Sequence, residues 1–180
     1  MNIAHLIKQK SYEKVKYILR RHPITFVPQI LLFAASVILP VLVYLMITNL
    51  YPALLEKEAA FAATIIAGSI YYLSVLLFFL GNFIDFYLDV WIITNDRIVD
   101  IEQFGLFSRT ISELDLYRLQ DVTADIHGFF STLFKYGTLT VKTASTNLNI
   151  VFRNVPNPNG VRQHLLELAN EDFKYHREQD

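Results

Sequence analysis

Charge is missing from two long stretches of this chain. No Asp, Glu, Lys or Arg stands between His22 and Glu56, and none stands between Glu58 and Asp85. A soluble core helix rarely runs so far without a charge, so the absence excludes an ordinary water-soluble fold for these segments. Thr25 to Leu50 and Ala59 to Ile84 each hold about 26 mostly apolar residues. At about 1.5 Å of rise per residue each reaches about 39 Å, against a hydrocarbon core of about 30 Å, and tilt or interfacial ends absorb the excess. Cysteine is absent, which excludes disulfides and thiolate chemistry and leaves the compartment open. The six glycines are spread singly, with no P-loop, G-x-G-x-x-G or G-x-S-x-G. His5, His22, His127, His164 and His176 fall at no metal-ligand spacing. No catalytic residue, cofactor or metal site is therefore assigned, and an enzyme is not expected. The windows also hold no ionisable group at mid-depth apart from tyrosines, so they read as an anchor rather than an ion pathway. Ser36, Thr48, Ser69 and Ser74 can bond their own helix backbone.

What charge there is lies unevenly. Residues 1–22 carry six Lys or Arg and one acid, Glu13, whereas residues 86–180 carry nine basic and thirteen acidic side chains. No clustered basic face follows the windows, so nucleic acid is not an expected partner. The first window is too long for a signal-peptide core of about 7–15 residues, and a retained span is expected. The basic flank puts the N-terminus in the cytoplasm, and a second span returns the chain, so both termini are expected on the cytoplasmic side of a plasma (inner) membrane.

Three regions follow: a basic segment over 1–22, a two-helix hairpin over 23–85 and a domain over 86–176. Residues 3–22 read as an amphipathic helix, with Ile3, Leu6, Ile7, Val15, Ile18 and Leu19 on one face. Lys8, Lys14, Lys16, Arg20 and Arg21 are its candidate membrane-surface contacts; the alternative is a solvated flank that only sets topology. Pro28 is tolerated near a helix start and Pro40 is expected to bend the first span. Ala59, Ala63 and Ala67 form a small-residue stripe for packing against the first span or a second protomer.

From Phe86 the texture becomes that of strands: Phe86–Thr94, then Asn95-Asp96 as a turn, Arg97–Gln103, a reversal at Gly105, Phe107–Leu114 and Leu119–Ile126. Around Leu139–Thr143 and Leu148–Arg153, separated by a turn at Ser145–Asn147, apolar and polar residues alternate. Asn157 caps a closing helix with Pro158 at its first position, and Val161, Leu165, Leu168, Ala169 and Phe173 form its apolar stripe. The expected fold is a membrane helical hairpin plus a small all-β barrel or sandwich closed by a C-terminal helix. On the sheet surface Arg118 and Asp121 can pair, and Asp85 and Asp89 read as solvated residues at a span exit.

Trp91-Ile92-Ile93-Thr94-Asn95-Asp96-Arg97-Ile98, Arg118-Leu119-Gln120-Asp121-Val122 and Phe134-Lys135-Tyr136-Gly137-Thr138-Leu139-Thr140-Val141, in this order and spacing, carry a resemblance to the bacterial pleckstrin-homology-like (YdbS-like) two-span membrane proteins. Upstream, Glu13 and Arg20-Arg21-His22-Pro23 fit the approach to the hairpin. It implies a fold and a location rather than an activity. The hairpin turn Asn95-Asp96-Arg97 supplies one base and one acid, too little for a polyphosphate headgroup pocket.

The expectation is a membrane-anchored, non-enzymatic interaction or scaffolding module, with membrane lipids and a protein partner or second copy as its contacts. The alternatives are a lipid-binding or lipid-sensing protein and an accessory subunit of a transport or envelope complex. The candidate contact surface is Phe129, Phe130, Leu133 and Phe134, crowded with Tyr136 into Gly128–Tyr136. Phe130, Leu133 and Phe134 share helical spacing. Either all of them plug one end of the barrel, or some face the bilayer or another protomer. Phe129, outside that spacing, is expected to be the most exposed.

Overall fold

The computed structural model describes residues 9–10, 12–52, 57–143 and 149–177, with backbone alone at 149 and 175–177. Lys8 and the expected turn at Ser145–Asn147 lie outside the described residues. The chain forms two compact units: one takes in the chain to Thr25 and again from Asp85, the other is Phe26–Ile84.

The second unit is built from two long apolar helices, α1 (Val27–Leu50) and α2 (Glu58–Leu88), the latter running on past the unit. Pro28 falls in the first turn of α1, where a missing N–H costs nothing, and the helix continues through Pro40. The Ser36, Thr48, Ser69 and Ser74 hydroxyls each donate to a carbonyl of their own helix at 2.8–2.9 Å. Between the helices, Tyr71 and Tyr72 donate to the Ser36 and Val37 carbonyls at 3.0 and 3.1 Å, and Phe33 stacks on Phe79 at 4.2 Å. The small-residue stripe is not part of this contact: Ala59, Ala63 and Ala67 are exposed. Bulky rings, two of which reach backbone acceptors, hold the helices together.

The first unit carries two antiparallel sheets, β1-β2-β3-β4 and β5-β6-β7. Their strands are β1 (Val15–Arg20), β2 (Val90–Thr94), β3 (Arg97–Phe104), β4 (Ser108–Asp115), β5 (Leu119–Asp125), β6 (Tyr136–Thr143) and β7 (Asn149–Pro156). The expected barrel or sandwich is thus two sheets, and among the described residues they do not close into a barrel. A short helix, α3 (Phe129–Phe134), joins β5 to β6, and α4 (Pro158–Arg177) packs over β5 and β6.

Two expectations change here. The segment read as a helix over 3–22 is a strand at Val15–Arg20, with Ile18 opposite Ile92, Leu19 opposite Trp91 and Arg20 opposite Val90. So short an apolar run fits either period, and the free edge of β2 decides it. Residues Phe86–Leu88, read as strand, finish α2 instead, because nothing between Ile84 and Leu88 breaks a helix already formed.

The core lies between the sheets and under α4: Trp91, Ile98, Leu116, Leu139, Phe152 and Leu165 are each at most 1% exposed. Asn157 Oδ1 accepts the Gly160 N–H at 3.3 Å, the expected N-cap. Leu165 and Ala169 are buried and Val161 and Leu168 partly so, but Phe173 is 54% exposed. The stripe turns with the helix, and Leu166 packs on the core instead. Gly137 is required by a close approach: a Cβ there would lie 2.5 Å from the Asp125 carbonyl oxygen.

Candidate functional site

The chain crosses between its two units at one end of the β domain. β1 finishes there with Arg20 opposite Val90, the first residue of β2, and α2 ends at Leu88 only two residues earlier. Several contacts fix this end. The Arg21 guanidinium pairs with the Asp89 carboxylate, whose other oxygen accepts the Gln103 N–H at 2.8 Å. The Arg20 guanidinium lies 5.0 Å from the centre of the Tyr87 ring. His22 donates its backbone N–H to the Asn154 carbonyl at 2.7 Å and stacks its ring on Tyr136 at 5.4 Å. Asp89 is 2% exposed, so the solvated boundary residue expected here is a buried ion-pair partner.

Tyr136 is the first residue of β6, so α3 sits at this same end. Gly128, at φ 100°, opens α3, and Lys135, at φ 53°, closes it. Within α3, Phe129 is 75% exposed, Phe130 64%, Leu133 57% and Phe134 40%. Phe129 and Phe130 meet edge to face at 5.6 Å. Of the group crowded into this stretch only Tyr136 is drawn inward, and the reading in which all five plug a barrel end does not hold. A second apolar cluster, not among the residues singled out from the sequence, stands at this end: Phe104, Leu106 and Phe107 on the β3–β4 turn. The cue was present in Phe104-Gly105-Leu106-Phe107, a turn with apolar residues where polar ones are usual.

The opposite end of the four-stranded sheet is polar and closed. Arg97 donates to both carboxylate oxygens of Glu13 at 2.9 and 3.0 Å and to Glu113 on β4. Burial pulls the Glu13 carboxyl up, but hydrogen bonds from Arg97 and the Lys10 N–H outweigh it and hold the group below the usual carboxylate range. Beside it, Lys10 pairs with Asp96 at 2.7 Å, and that contact raises the Lys10 ammonium. Thr94 Oγ1 accepts the Arg97 and Asp96 N–H groups at 2.9 and 3.2 Å. Asn95 and Asp96 were expected to serve their own turn; their side chains instead hold Lys14 and Lys10 of the segment before β1.

Asp100 lies on β3 opposite Trp91, 7% exposed, with one carboxylate oxygen lacking a hydrogen-bond partner. Burial pushes its carboxyl up to about 7, Glu102 and Asp89 add to that, and Arg153 draws it down.

The candidate membrane-surface cations are spread along the strand rather than gathered at one end. Lys14 lies at the closed end, Lys16 midway along β1, and Arg20 and Arg21 at the crossing. Arg118 pairs with Asp115 at 3.4 Å and with the Tyr117 hydroxyl, not with Asp121.

A family model described as bacterial PH domain matches residues 23–169. Among solved structures, a DUF1696 family protein with a pleckstrin-homology domain from Shewanella loihica PV-4 aligns at a TM-score of 0.37 and 13% identity. The alignment covers 45% of this chain and 70% of that one. No curated protein matches.

Proposed function

Because the chain belongs to the bacterial PH domain family, we propose that it is a membrane-anchored, non-enzymatic contact module. Two spans hold it in the plasma (inner) membrane, and the PH-like domain works on the cytoplasmic side. Support for the anchor comes from α1 and α2, which bury no residue within the structure and are long and apolar enough to cross a bilayer. Such helices need an apolar solvent, and charge-free windows flanked by a basic segment fit that need.

The observation that carries the contact role is the uncovered aromatic face of α3. A helix of six residues that exposes four large apolar side chains is stabilised by little in its own fold. Enzymatic chemistry has no comparable support: among the described residues buried Glu13, Asp96 and Arg97 are tied into ion pairs at the closed end, and buried Asp89 into one with Arg21 at the crossing. The test is a photoreactive phenylalanine analogue at Phe129 in the full chain in native membranes. Crosslinks to lipid or to protein support a contact face. A probe that reacts with neither overturns it.

A further inference from the structure

Two exposed apolar elements project from the end of the β domain where the chain crosses into its apolar helices. β3 pairs with β2 only as far as Ile101 opposite Val90, then runs on with β4 to Phe104 opposite Ser108. Three further residues at about 3.3 Å each carry the turn about 10 Å beyond the first residue of β2. The strand runs past Asp89, whose carboxylate accepts the Gln103 N–H at 2.8 Å. At that tip Phe107 is 98% exposed, Phe104 54% and Leu106 43%. α3 reaches the same end through a different strand, immediately before Tyr136, whose ring rests on His22.

We propose that this end of the domain is seated in the interfacial layer of the bilayer, with the β3–β4 turn and α3 as two separate inserting elements. The inference rests on the reading that α1 and α2 span that bilayer. Covalent connection then decides the occupant, because both crossings, at Thr25 and Asp85, leave from this end. Aromatic side chains suit the headgroup boundary, where an apolar ring meets a hydrated layer. Charge at this end is mixed: Arg20, Arg21, Arg109 and Lys135 lie there together with Asp85, Asp89, Glu102 and Asp125. Insertion is therefore apolar, and anionic headgroups are not what it recognises.

The cysteine-free chain allows single probes in the full-length protein. An environment-sensitive fluorophore is attached at Ser108→Cys, Phe129→Cys, Lys142→Cys or Ile70→Cys. The protein is reconstituted in phosphatidylethanolamine and phosphatidylglycerol vesicles carrying spin-labelled lipid. Lys142 is exposed near the far end of β6, and Ile70 lies midway along α2. The expected result is loss of emission at 108, 129 and 70 but not at 142. Phe107→Ser in the Ser108→Cys protein should abolish the quenching at 108 while the thermal melt stays unchanged. Replacing phosphatidylglycerol by phosphatidylcholine should leave the pattern as it was. Quenching at 70 without quenching at 108 and 129 overturns the seating alone. If the probe at 129 instead crosslinks to a second copy or another protein and is not quenched, the seating is equally overturned. No quenching at 70 overturns the spanning reading and the seating with it.

Discussion

The two ends of the β domain break the usual distribution of side chains in opposite directions. At the Asn95-Asp96 turn, charged residues are buried: Glu13 is 2% exposed and Arg97 8%. At the chain crossing, aromatic residues are bare: Phe107 is 98% exposed and Phe129 75%. Buried polar groups and exposed apolar clusters are both costly in water, and each calls for a partner. At the closed end the partner is within the chain, since the segment before β1 supplies Lys10, Tyr12 and Glu13 to the hairpin. At the crossing end the apolar side chains stay exposed among the described residues of the domain. The contrast separates two sets of residues that composition alone would rank the other way round: the charged set holds the fold together, and the apolar set is the one on which the proposed contact rests.

The strongest way to break that contrast is at the closed end. Arg97→Ala leaves the Glu13 carboxylate buried without its bidentate partner, a change expected to cost about 3–5 kcal/mol. Thermal unfolding of the full-length protein in mild detergent measures it. An unchanged melt would mean that Glu13 finds water and that the end is not closed. The double variant Glu13→Leu with Arg97→Met should recover most of the loss, because no uncompensated charge remains.

Between the ends, the core sets the scale against which both are judged. Leu165 on α4 is 1% exposed among Val122, Leu139 and Phe152. Leu165→Ala is expected to cost about 2–5 kcal/mol, lost apolar transfer plus the cavity left behind. A neutral result in the same thermal assay would mean that α4 is not docked there.

The regular parts of this organisation were legible in the residues. Charge-free windows marked α1 and α2 to within a few positions, and alternation marked β6 and β7. Asn157-Pro158 marked the start of α4, and the Phe130, Leu133 and Phe134 spacing marked α3. What escaped was long-range. Whether Val15–Arg20 is helix or strand depends on an edge of β2 about 70 residues away in sequence. The Glu13–Arg97 pair spans a similar separation, so neither residue carried a local sign of its partner. Asp89 looked like a boundary residue because it follows a span; only folding brings Arg21 and Gln103 to it. Within the candidate site, α3 could be read from its crowding. The β3–β4 tip is not singled out because Gly105 reads only as a reversal and Phe107 as the first residue of the strand after it.

A middle-sized effect comes from Asp100, which sharpens the comparison because it is buried and charged without a full set of partners. Its folded carboxyl is raised from 3.8 to about 7, so the folded state holds a proton that the unfolded chain releases. For this group stability is therefore fully present below about 3.8 and lost as pH rises toward about 7. Asp100→Asn removes that dependence. The variant is expected to be more stable than the parent by about 1–3 kcal/mol at pH 8 and equal to it at pH 4. Melts across that range decide it. A variant less stable at pH 8 would mean that Arg153 pairs with the carboxylate and keeps it ionised.

The smallest effect on stability is expected where exposure is greatest, and its smallness is the point. Phe129→Ser removes a ring that is 75% exposed and touches Phe130 edge to face. A surface change of this kind stays within about 0.5 kcal/mol, so the detergent melt should not move. Crosslinking in native membranes should nevertheless fall, because the ring lost from the fold's ledger is one that the contact uses. The same pair of measurements on Arg97→Ala should give the reverse pattern at temperatures where that variant is still folded: a lowered melt with contacts kept. A large drop in the Phe129→Ser melt would show that the ring is part of the core. The crossing end would then be closed after all, and the difference between the two ends would disappear.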